Sequence, residues 1–139
     1  MGGSRKGRAM SREPRTERPG DHSMHDLVKA VLAFRDERDW RQFHNPKDLA
    51  ISVSLEAAEL LESFQWKTPA EAVVFLDSAE NRRRVADEMA DFLILLISMS
   101  DVIGVDLVEA ARKKLVENAR KYPVDRAKGN ARKYDALSS

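Results

Sequence analysis

Two acidic signatures, Glu56-x-x-Glu59 and Glu88-x-x-Asp91, are the places where residue type and spacing in this chain could do chemistry. Each lies inside an apolar helical pattern. Residues three apart on a helix project from neighbouring points of one face, so each signature sets two carboxylates side by side. Two such helices packed together aim four acids at one spot. At about 5 Å and an effective dielectric near 20, each pair repels by roughly 3 kcal/mol, so the cluster must part its helices, take up protons or bind cations. Divalent ions resolve the conflict. All-oxygen donors without histidine or cysteine suit magnesium, with manganese able to substitute, better than zinc. A di-iron bundle would want Glu-x-x-His on two helices, and the chain has no such motif.

The surroundings of the acids favour this over ordinary surface carboxylates, the usual fate of Glu and Asp. With Glu56 at zero and about 100° per residue, Leu49, Leu60, Val53, Phe64, Ala57 and Leu61 fill one arc beginning beside it. Glu59 lies about 60° the other way, flanked by the small Ser52 and Ser63. Glu88 shares a stripe with Phe92, Leu95 and Met99, and Asp91 is one step round. Two acid pairs, each beside a core arc, are expected to face inward.

Hard ions on acids commonly hold phosphate oxygens, and the remaining charge of a phosphorylated ligand needs cations. Lys114, Asn118 and Lys121 recur at three- to four-residue spacing and share a face, with Tyr122 adding a hydroxyl. A helix C-terminus favours cations through its dipole in any case, so these residues alone do not separate a phosphate site from a solvated end. Trp40, Phe43, His44 and Trp66 are rings able to stack on a flat group; singly, each would more often be a packing residue.

The elements that must position these residues are helical. Ser23 with Asp26 opens a first helix expected to reach about Asp39, with Leu27, Val28, Val31, Leu32 and Phe34 as its buried stripe. Asn45-Pro46-x-Asp48 starts the helix that carries Glu56 and Glu59 to about Trp66. Thr68-Pro69-x-Glu71 restarts a short helix, and a long one is expected from about Ala79 to Ile103, stopped by Gly104. Asp106-x-x-Glu109 begins the last helix and Tyr122-Pro123 ends it. No strand signal or internal repeat occurs. The expectation is an all-α bundle of four to five helices at residues 23–124. The long helix is apolar almost all round, so a bundle of this size leaves part of it wet unless chains pair as a homodimer or a dimer of dimers.

At 139 residues and 42% hydrophobic, the chain can bury one modest core. Zero cysteines exclude disulfides and thiolate chemistry, which fits a reducing, cytoplasmic setting. The first twenty residues hold a net charge of +4 out of an overall +1, so the remainder is slightly acidic. That argues against a specific nucleic-acid platform. Residues 1–22 read as a disordered basic leader, without the apolar core of a secretory signal, and 125–139 as a basic tail. The longest apolar run, around Phe92 to Ile97, is too short for a membrane span.

Trp40-x-Gln-Phe-His44, Glu56-x-x-Glu59 leading into Phe64-Gln-Trp66, Asp87-Glu-x-x-Asp91 and Asn118-x-x-Lys-Tyr-Pro123 together resemble the MazG-like all-α nucleoside triphosphate pyrophosphohydrolases, in particular those acting on dCTP. The resemblance runs in order over about residues 24 to 130. It implies magnesium-dependent cleavage of a nucleoside triphosphate to monophosphate and pyrophosphate, serving nucleotide-pool house-cleaning, with sites assembled at helix interfaces of a dimer or tetramer. By position, Glu56, Glu59, Glu88 and Asp91 would hold the ions, or one of them, with Glu59 the candidate, would instead take a proton from the attacking water. Lys114, Asn118, Lys121 and Tyr122 would meet phosphates, and Trp40, His44 and Trp66 would frame the base. Lys121 stands where such proteins often carry Arg, which keeps the charge but not the forked hydrogen bonding.

Two other readings fit parts of the pattern. In a helical oligomerisation or regulatory module the acids would be structural and metal would not affect melting. A phosphoesterase acting on another phosphorylated small molecule would share the metal site but not need the rings.

Overall fold

The computed structural model describes residues 23–129 and 131–133, and among these every regular element is helical. The leader 1–22 and residues 130 and 134–139 of the basic tail lie outside the described residues. The helices are α1 (Met24–Asp36), α2 (Pro46–Glu62), α3 (Pro69–Phe75), α4 (Ala79–Val102), α5 (Leu107–Lys121) and α6 (Val124–Ala127), with a single 3₁₀ turn at Trp40–Phe43. Six α-helices replace the expected four to five, because Pro123 opens the extra turn of α6 where a tail was expected.

Local capping explains the starts. The Ser23 hydroxyl accepts from the Asp26 N–H while the Ser23 N–H donates to the Asp26 carboxylate, both at 3.2 Å. Thr68 and Glu71 form the same reciprocal box before α3, and the Asn45, Ser78 and Asp106 side chains cap α2, α4 and α5. Gly104 follows α4 at φ 69°, a left-handed conformation that costs a glycine nothing.

Helix α1 stops three residues short of the expected Asp39. Asp39 takes φ 54°, rare outside glycine though tolerated by Asp, and turns the chain into the 3₁₀ segment. Gln42 braces this turn, its amide donating to the Asp39 carboxylate at 2.7 Å and to the Asp39 carbonyl at 3.0 Å.

The most extensive packing is α2 against α4, with α1 laid on α4. Leu49, Val31 and Ile97 are the buried apolar side chains, and Ser63 and Ser98 are buried among these helices. Helix α3 is tied down at its C-terminal end. Phe64 meets Phe75 edge-on at 6.0 Å, Lys67 lies over the Phe75 ring, and Asn81 and Arg82 donate to the Phe75 and Leu76 carbonyls that its last turn leaves open.

The apolar arc expected on α2 is only partly covered. Leu49 is buried and Val53, Leu60 and Phe64 are half-buried, but Ala57 and Leu61 are exposed, as are Ile51 and Leu55. On α1, Val31 is buried, whereas Leu27 and Phe34 stand open. Among the described residues, the facing elements leave apolar side chains of α2 and α4 uncovered.

Candidate functional site

Helices α2 and α4 bring the acids together. Carboxylate oxygens of Glu56, Glu59 and Glu88 all lie within 4.8 Å of one another. Glu56 and Glu88 are half-buried, but Glu59 is exposed, so only one member of each acid pair turns inward as expected. Asp91 stands outside this trio and is exposed, although its charge reaches both Glu56 and Glu88. Its side chain is one methylene shorter than a glutamate's and sits one step farther round the helix.

The trio is in electrostatic conflict. Partial burial, then the charges of Glu59, Asp91 and Glu88, pushes the Glu56 carboxyl above its ordinary range. Glu88 is pushed up by partial burial, by Glu59 and Asp91, and by a hydrogen bond with Glu59, against a small opposing pull from Arg84. Clustered hard oxygen donors that hold protons too tightly fit a divalent cation, whose charge would displace those protons.

The rings divide. Trp40 and His44 line a cavity of about 340 Å³ together with Val31, Phe34, Arg35 and Leu95, a volume at the small end of ligand sites. Trp40 meets Phe34 edge-on at 5.8 Å, and the Arg38 guanidinium lies 3.6 Å from the Phe34 ring centre. Trp66 does not line this cavity; it stands 87% exposed in the turn after α2. Phe43 also faces outward.

On α5, Lys114 donates to Glu117 at 3.0 Å. That bond, the Lys114 charge and the nearby Lys121 hold the Glu117 carboxyl below its ordinary range, so the two lysines share one face as their spacing requires. Asn118 is half-buried, and its carbonyl accepts the Tyr122 N–H at 2.8 Å. This face is built around Glu117 rather than around the acid trio.

Sequence reading missed Arg35. It is 3% exposed, donates to Asp101 at 2.6 Å and to Asp36 at 2.8 Å, and stands beside His44 in the cavity wall. A signal was present: Arg35 continues the Val28, Val31, Leu32 stripe at helical spacing, a cation where an apolar residue belongs.

Residues 51–137 match the MazG-like family, and the chain belongs to it. It is 36% identical over 115 residues to the dCTP pyrophosphatase 1 proteins of Bos taurus and Homo sapiens, spanning 83% of this chain and 68% of each relative. A pyrophosphatase from Archaeoglobus fulgidus shares the fold, with a TM-score of 0.67 and 40% identity over 77% of this chain and 98% of its own. Among the described residues, no helix is long and apolar enough to cross a membrane.

Proposed function

We propose that the protein is a magnesium-dependent nucleoside triphosphate pyrophosphohydrolase acting on a pyrimidine deoxynucleotide, dCTP or a close relative. The wider class, a nucleoside triphosphate diphosphatase, rests on the family, its dCTP pyrophosphatase relatives and the pyrophosphatase of the same fold. The observation that carries the reading is the convergence of Glu56, Glu59 and Glu88 from two helices.

Glu56, Glu59, Glu88 and, from the edge, Asp91 are the side chains that would hold magnesium, with manganese as a substitute. When bound, the ion supplies positive charge against the triphosphate oxygens and the departing pyrophosphate. Water attacks the α-phosphorus, the bond from that phosphorus to the bridging oxygen breaks, and pyrophosphate leaves with the bond's electrons. Glu59, the exposed member of the trio, takes the water's proton where it is not itself holding the ion. The base lies in the cavity beside Trp40 and His44. Lys114, Asn118, Lys121 and Tyr122 meet the phosphates once the triphosphate outcompetes Glu117 for the lysines.

Trp66 and the open faces of α2 and α4 support a homodimer or homotetramer in which a neighbouring copy brings Trp66 to the base. The test is a screen of common nucleoside triphosphates with magnesium or with chelator. Equal amounts of monophosphate and pyrophosphate, formed only with the metal and best from dCTP, support the reading; orthophosphate as the sole product refutes it.

A further inference from the structure

The turn that closes α1 sets the angle between two rings. Had α1 continued through Trp40, that ring would lie six residues beyond Phe34 and about 120° away round the helix, and the two would point apart. In the structure they meet edge-on at 5.8 Å, and both line the cavity. The residue that redirects the chain between them is Asp39, at φ 54°.

A left-handed conformation is strained for a residue with a Cβ, and asparagine and aspartate tolerate it best. Gln42 holds Asp39 there. Its amide donates to the Asp39 carboxylate at 2.7 Å and to the Asp39 carbonyl at 3.0 Å, while the Asp39 N–H donates to the Asp36 carbonyl at 3.0 Å. Arg38 secures the other ring: it donates to the Phe34 carbonyl at 2.9 Å, and its guanidinium lies 3.6 Å from the Phe34 ring centre and 6.0 Å from that of Trp40. Phe34 and Trp40 are 50% and 46% exposed, so burial alone does not fix them and the polar contacts of the turn must. Backbone strain held in place by surrounding bonds clusters where a fold presents a ligand-binding group.

We propose that Asp39 and Gln42 are positioning residues: the left-handed turn, locked by the Gln42 amide, sets Trp40 against Phe34 and completes the cavity wall before a ligand arrives. The inference rests on the reading that this cavity takes the base. It adds the source of the wall's rigidity, two residues that do not themselves line the cavity. A wall formed in advance leaves nearly every molecule competent to bind. A wall that must first find its shape weakens binding by the fraction of molecules that have it.

The test is steady-state kinetics of the full chain with magnesium and dCTP, beside ¹⁹F NMR of the chain labelled with 5-fluorotryptophan, in which the Trp66→Phe spectrum assigns the Trp40 line. Gln42→Met keeps the side chain's length but loses the donor. It is expected to raise KM about fivefold, as if about a fifth of the molecules kept the turn, with kcat within about twofold, and to move the Trp40 line toward its position in the unfolded chain. Asp39→Ala should do the same. Asp39→Asn tolerates the turn and still offers Gln42 an acceptor, so it should restore both readouts. An unchanged KM in Gln42→Met, whatever happens to its melting temperature, makes the turn structural only and overturns the proposal; so does a loss confined to kcat. A wild type that releases no pyrophosphate from any triphosphate refutes the function instead, and the Trp40 line then still shows whether Asp39 and Gln42 hold the ring.

Discussion

Arg35 and Asp101 lie 66 residues apart in the chain and are joined by a hydrogen bond of 2.6 Å, which ties the end of α1 to the end of α4. Burial of the guanidinium works against its charge, and the hydrogen bonds and charges of Asp101 and Asp36 more than offset that cost. Removing one partner of such a pair leaves a buried charge poorly compensated, whereas replacing both with apolar groups does not. Asp101→Asn should therefore destabilise by about 2 kcal/mol, less than a fully buried pair because Asp36 remains. Melting should fall by roughly 7 °C. Arg35→Met combined with Asp101→Leu should recover most of the loss, and a double variant no better than the single one would contradict this account.

The acid cluster predicts how stability depends on pH. Glu56 and Glu88 hold protons more tightly in the folded chain than in the unfolded one, so their contribution to metal-free stability is greatest below the ordinary carboxylate value of about 4.5. It declines as pH rises through their raised folded values. Magnesium competes with those protons, so its stabilising effect should be absent in acid and grow as pH rises. Melting curves with magnesium chloride or chelator across this range measure it. Glu56→Gln should raise the metal-free melting temperature, abolish the magnesium increment and cut turnover by roughly a hundredfold. A magnesium increment independent of pH would sink the metal site.

What the sequence made legible was what is local. Ser23, Asn45, Thr68 and Asp106 act on backbone three residues away, so the helix starts could be read from the chain alone. The acid signatures could be read because three-residue spacing fixes a face, and α2 and α4 then bring Glu56 and Glu59 to Glu88. The end of α1 could not, because it depends on a non-glycine residue, Asp39, accepting a left-handed φ. Nor could the Arg35 network, because its partner Asp101 comes from a helix whose placement no local pattern encodes. The α2 arc was read too wide for a similar reason: periodicity shows that Leu61 matches the apolar side, but not whether anything in the chain covers it.

That uncovered surface makes its own prediction. Ile51 and Leu55 are four residues apart on one face of α2, at 50% and 57% exposure, and Met89 of α4 is 57% exposed. Exposed apolar side chains on neighbouring helices mark a candidate interaction surface. Light scattering should give a dimer or tetramer mass for the wild type and a lower mass for Leu55→Glu. A wild type that stays monomeric at every concentration would exclude self-assembly through this face.

Trp66 separates a structural from a ligand-binding ring. At 87% exposure it buries almost nothing on its own chain, so Trp66→Ala should change the stability of one copy by no more than about 0.5 kcal/mol. If a neighbouring copy delivers Trp66 to the base, the same substitution removes stacking worth about 1–3 kcal/mol and raises KM between about fivefold and a hundredfold. Mixing Trp66→Ala chains with Glu56→Gln chains tests the sharing directly. Each variant is defective alone, but a mixed oligomer contains some sites with an intact acid cluster on one copy and an intact Trp66 on the next. Activity recovered on mixing is the expected outcome; activity no greater than the sum of the two variants would show that Trp66 serves only its own chain.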